Sequence, residues 1–114
     1  MLKISQEFRH GILFIRLSGK LTTKESPYFH EMVIDKIKEN GIRSVVFNIY
    51  GLEDIDLKGV HDFYYAYELC NANLGKVLLC EVYSSCFSTL RKNRLFQYID
   101  VVRSELDAFS FIRI

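Results

Sequence analysis

Glu53, Asp54 and Asp56 stand close together near the middle of the chain, just after an apolar run. Carboxylates placed there can hold a cation or work as a general acid–base pair, because ligands of open α/β sheets bind beyond the carboxyl ends of the strands. The plainer reading is a helix cap at Asp56 and two solvated loop acids. The remaining reactive side chains are scattered. His10, His30 and His61 form no HExxH and no i,i+4 pair, so neither metal ligation nor general-base work has a spacing behind it. Cys70, Cys80 and Cys86 never reach CxxC spacing, which removes the zinc and thioredoxin-like readings. Each sits among apolar neighbours, and we expect buried free thiols. Ser84 and Ser85 lack the GxSxG elbow of a nucleophile and suit helix capping better. No loop carries the glycines of a phosphate cradle. We therefore expect no catalytic residue, no metal and no cofactor.

The chain around them has 114 residues, with 49% hydrophobic and 25% charged. This is the composition of one globular domain, and the whole of 1–114 reads as a single unit. Fifteen Lys and Arg against fourteen Asp and Glu leave a net charge of +1, so the basic excess of a nucleic-acid binder is missing. Apolar stretches such as Val45-Val46-Phe47 and Val77-Leu78-Leu79-Cys80 are far shorter than the ~20 residues of a bilayer span. Glu7 interrupts the position where a secretion signal would place its apolar core. Cytoplasmic residence, with no membrane partner, is the expectation.

Strands alternate with helices along the chain. Ile4 and Phe8, then Ile12, Phe14, Ile15 and Leu17, predict a hairpin turning at Arg9-His10-Gly11, the second strand ending at Gly19. A helix from about Pro27 to Glu39 follows, with Ser26 as its cap and Asn40-Gly41 as its stop. Ser44–Ile49 predicts a central strand, the segment from Gly51 to Asp56 a loop, and Asp56 the cap of a second helix. Lys76–Val82 and Gln97–Val102 predict further strands. Between them Ser84 or Ser85 opens a short helix, and Ser104 opens a terminal one with capping-box spacing. The fold class is α/β: a mostly parallel sheet of about five strands, an N-terminal antiparallel hairpin and four helices. In the second helix Val60, Phe63, Tyr64, Tyr67 and Asn71 share one face, which we read as the buried one. Lys58, Asp62, Tyr65 and Leu69 fall opposite them, where Tyr65 and Leu69 would form an exposed apolar pair beside charges.

Taken in order, these elements resemble the STAS domain of bacterial anti-sigma factor antagonists. Ile12–Leu21, containing Leu17-Ser18-Gly19-Lys20-Leu21, is similar to the family's second strand and its L-x-G-x-L turn, and Ile42–Ile49 to the central strand. Leu52–Gly59 is similar to the segment written D-S-S-G in phosphorylatable members, and Arg94-Leu95-Phe96 to the stretch before the last strand. The resemblance implies a non-enzymatic, protein-binding role in transcriptional regulation. The implied partner is an anti-sigma factor that is also a serine kinase. A scaffold subunit contacting other STAS proteins is the alternative, and a small enzyme or ligand-binding domain using the Glu53–Asp56 loop is a third reading. It also implies a partner surface at Asp56, Lys58, Gly59, Asp62, Tyr65 and Leu69. Lys58 stands where the family carries its phosphorylated serine and Leu57 lies before it, so neither residue offers a hydroxyl for the switch.

Overall fold

The computed structural model describes residues 1–112. Strands β1 (Leu2–Arg9) and β2 (Ile12–Leu21) form the hairpin. Arg9 faces Ile12 across a two-residue turn, His10-Gly11, in which both residues have positive φ (51° and 81°). Such a turn matches the right-handed twist of the strands it joins. Helix α1 spans 26–40 and contains a π-helical turn at His30–Ile34. It is followed by β3 (Ser44–Ile55), α2 (Leu57–Ala72) and β4 (Lys76–Cys80). A single-turn helix at Ser84–Cys86 leads into α3 (Phe87–Lys92), and β5 (Asp100–Val102) and α4 (Glu105–Phe111) complete the order.

The strands lie in the order β1-β2-β3-β4-β5, antiparallel between β1 and β2 and parallel elsewhere. The two apolar runs therefore pair in parallel, with Val45 beside Val77 and Phe47 beside Leu79, and β3 at the centre. Leu13, Ile15, Val45, Phe47 and Leu79 join the core under α1, α2 and α3. Ile12, Phe14, Val46, Leu78 and Cys80 point the other way, against Ala108 and Ile112. Cover on both faces is the reason these strands are apolar at almost every position rather than at alternate ones.

Several boundaries differ from the sequence reading. β2 does not stop at Gly19. It bulges on either side of Ser18-Gly19 and runs on to Leu21, drawing β3 out to Ile55 through the pairs Gly19–Leu52 and Leu21–Ile55. The segment Gly51–Ile55 is thus strand rather than loop. Ser26 is already inside α1, whose cap residue is Glu25. Ser85 does not cap: its hydroxyl donates to the carbonyl of Glu53 at 2.7 Å and ties the approach to α3 to the end of β3. β4 ends at Cys80, not Val82, and β5 begins at Asp100 because Leu95–Gln97 is a helical turn. Asp56 and Ser104 do cap, accepting from the N–H of Gly59 and of Asp107.

All three thiols are buried. Loss of hydration pushes Cys70 up to about 11 and Cys80 up to about 12, and raises Cys86 as well. At pH 8 only about one thiol in a thousand at Cys70 is ionised, and the thiolate is the reactive form. Thiol titration of the native protein is expected to read close to zero, rising to all three cysteines on unfolding. A fast native reaction would contradict this burial.

Candidate functional site

The N-terminus of α2 lies where β2 and β3 end together. Asp56 leaves β3 in an extended conformation and turns its side chain back over the helix start. One carboxylate oxygen accepts from Gly59 N–H at 3.0 Å, and the other from the N–H and hydroxyl of Thr23 at 2.8 and 2.9 Å. Burial by itself would raise this carboxyl, but the donors from Gly59 and Thr23 outweigh it and hold Asp56 below the usual carboxylate range. The cap therefore also clamps the connection between β2 and α1 onto α2. Gly59 is buried against that connection: a Cβ there would collide with the carbonyl oxygen of Leu21 and lie 2.6 Å from Ile55 Cγ1.

The outward side of this end carries Leu57 (54% exposed), Lys58 and Tyr65 (38% exposed). Asp62, which the sequence pattern places outside, is buried at 1% exposure. The inward face of α2 consists of Gly59, Val60, Phe63, Ala66 and Cys70, and Asp62 lies on the flank that meets α1. There its Oδ1 accepts from the Ser26 hydroxyl at 3.1 Å, lies 2.8 Å from His30 Nε2 and 3.7 Å from Lys58 Nζ. Its Oδ2 has no hydrogen-bond partner. Leu69 is also corrected: it is half-buried and packed against the core, so the expected Tyr65–Leu69 pair is not an exposed one. Of the predicted face opposite, Asn71 is exposed, while Tyr64 and Tyr67 are half-buried and meet the Tyr98 ring at 5.0 and 5.8 Å, the first edge-on and the second tilted.

Tyr65 is braced from α1. Its ring meets His30 edge-on at 5.5 Å, and Lys38 Nζ lies 5.3 Å from the ring centroid. Two helices thus hold an amphipathic ring in place at the surface, which lowers the entropy lost when a partner covers it. Lys58, in the first turn, opposes the helix dipole by roughly 0.3–1 kcal/mol, and its contact with Asp62 offsets part of that cost. Thr23, Ser26 and His30 were not legible as site residues. They lie more than thirty positions from the acids they bind, beyond any local spacing rule.

The acidic trio does not form a reaction centre. Glu53 and Asp54 are exposed where β3 shifts register against β2, while both oxygens of Asp56 are engaged. Among the described residues no group of three His, Cys, Asp or Glu side chains comes together to hold a metal. No described helix is long and apolar enough to cross a membrane.

The model of the STAS domain matches residues 3–108. The chain belongs to the STAS domain family. A STAS relative, the anti-sigma F factor antagonist of Paenibacillus polymyxa, is 24% identical over 113 residues, covering 99% of this chain and 97% of the relative. An anti-sigma factor antagonist from Mycobacterium paratuberculosis superposes with a TM-score of 0.87 at 14% identity, over 100% of this chain and 96% of that one. The Bacillus cell fate determinant SpoIIAA in its phosphorylated form gives a TM-score of 0.74 at 17% identity, over 97% and 100% of the two chains. At these identities the structural matches speak to the fold alone.

Proposed function

We propose that this protein is an anti-sigma factor antagonist, acting in the cytoplasm by binding rather than by catalysis. The observation that carries the reading is the near end-to-end match to a relative named for that role, 99% of one chain against 97% of the other. In this reading the partner is an anti-sigma factor of the serine-kinase type. It docks on the N-terminal half of α2, where Leu57, Lys58 and Tyr65 face outward and Asp56 and Gly59 shape the helix start. Asp62 serves from behind, as a brace between α1 and α2, and Leu69 packs against the core.

The lysine at position 58 changes how such a complex is controlled. A phosphate adds about −1.5 to −2 charge, whereas this surface presents a fixed cation and no hydroxyl at 57 or 58. Binding is therefore not switched off by phosphorylation at the start of α2. Calorimetric titration against the cognate anti-sigma factor tests the site. Tyr65→Ala is expected to cost ≥2 kcal/mol of binding, about thirtyfold, as for an aromatic anchor at an interface centre. Lys58→Glu should weaken binding as well, and both variants should keep the wild-type melting curve to within a few degrees. Unchanged affinity in both would remove this surface from the proposal. Lys58→Ser should become a substrate if the partner is a serine kinase that docks here.

A further inference from the structure

We propose that β1 is the docking edge for a second copy of this chain, the two strands pairing antiparallel about a two-fold axis through Ser5. β1 is one of the two free edges of the sheet and is eight residues long, whereas the other edge, β5, has only three. Long free edges carry unpaired N–H and C=O groups and recruit further strands unless something blunts them. The two-residue turn fixes which groups are free. Arg9 and Ile12 close the hairpin as a bonded pair, so Glu7, Ser5 and Lys3 also spend their backbone groups on β2. The bond from Lys20 N–H to the Met1 carbonyl, 2.9 Å, continues the same alternation. The outward groups therefore belong to Leu2, Ile4, Gln6 and Phe8.

An antiparallel pairing of two such edges must set outward residues opposite outward residues, which leaves registers that differ in steps of two. With Ser5 opposite Ser5, Ile4 meets Gln6, Leu2 meets Phe8, and Lys3 meets Glu7 on each side of the axis. A shift one way sets Lys3 against Arg9, and a shift the other way leaves Lys3 beside Ser5. The centred register alone joins opposite charges twice, and it does so at non-bonded pairs, where side chains approach most closely. It also sets Phe8, which is 59% exposed, beside the edge of the other copy's core at Leu2. Glu7 already accepts from Arg16 at 2.8 Å and lies 3.6 Å from Arg9. Arg16 is held in addition by Glu105, so Glu7 can share its carboxylate with a third cation, Lys3 of the other copy, beside Arg16 and Arg9. The edge lies on the far side of β2 from β3 and α2, which leaves the proposed anti-sigma site open in the paired form.

Two experiments on the full chain decide it. In the centred register the Cα atoms at position 5 approach to ~4.5 Å, within disulfide range. Ser5→Cys should oxidise to a covalent dimer under mild conditions in which Lys3→Cys stays monomeric, and the buried native thiols do not compete. In sedimentation equilibrium the wild type should be a monomer–dimer system. Lys3→Glu and Glu7→Lys should each weaken self-association about tenfold or more, since each sets like charges opposite one another twice. Mixed, the two variants should associate as well as the wild type, because every facing pair is then of opposite sign. Their melting curves serve as the folding control. A wild type that stays monomeric to millimolar concentration, or equal crosslinking at positions 3 and 5, would overturn the proposal. Failure of the mixture to recover would do the same.

Discussion

Phe63→Ala is expected to lower the unfolding free energy by about 3–5 kcal/mol, the usual cost of deleting a buried phenyl ring. Phe63 is fully buried at the junction of α1, α2 and β3. Its ring meets Phe47 at 5.0 Å and Phe29 at 6.0 Å, both in edge-on geometry. These two contacts fix the rotation of α2 on the sheet, and with it the outward direction of Tyr65 and Lys58. For a domain of this size the loss is a large fraction of a total of ~5–15 kcal/mol, and the melting temperature should fall by ~15 °C. Denaturant titration read by circular dichroism gives the number. Phe63→Leu, which keeps most of the volume, should cost under half as much. A drop below about 1 kcal/mol for the alanine variant would mean that the aromatic trio does not anchor α2.

Gly59→Ala should cost about 2–3 kcal/mol, although alanine is the better helix former by up to ~1 kcal/mol. The methyl group has no free space: it meets the Leu21 carbonyl and Ile55, and both belong to the paired ends of β2 and β3. Relief requires α2 to lift away from the strands, which stretches the Asp56 bonds to Gly59 and Thr23. Gly41→Ala is the informative comparison. Gly41 sits at φ +58° with open space around its Cα, so its substitution costs only the left-handed backbone penalty, ~1–2 kcal/mol. The Gly59 variant should also bind the anti-sigma factor more weakly than its melting curve alone would suggest, since the helix start moves. The Gly41 variant should bind normally. If Gly59→Ala matches or exceeds wild-type stability, the close packing of α2 on Leu21 is not a constraint on this fold.

Much of this was legible in the chain itself. Ser44–Ile49 and Val77–Cys80 read as buried parallel strands because cover on both faces leaves a continuous apolar run. Asp56 and Ser104 were found as caps because a capping side chain satisfies N–H groups only three residues away. The glycine in the short gap Arg9-His10-Gly11 marked the hairpin, whereas the two-residue length of the turn, and with it which backbone groups of β1 face outward, was decided by the structure. Tertiary structure decided what depends on distant partners. Asp62 matches the polar side of a helix by spacing, yet it points inward because Ser26 and His30 on α1 supply donors to a buried carboxylate. A burial of that kind is stable only when the partners arrive with it, and no pattern within α2 contains them. Gly51–Ile55 reads as a loop from its acids and its glycine, but β2 bulges around Gly19 and extends beside it, so strand pairing overrides local preference. Ser26 and Ser85 look like caps for the same local reason. The fold uses one to hold Asp62 and the other to hold β3, because a hydroxyl bonds whichever acceptor the packed chain brings to it.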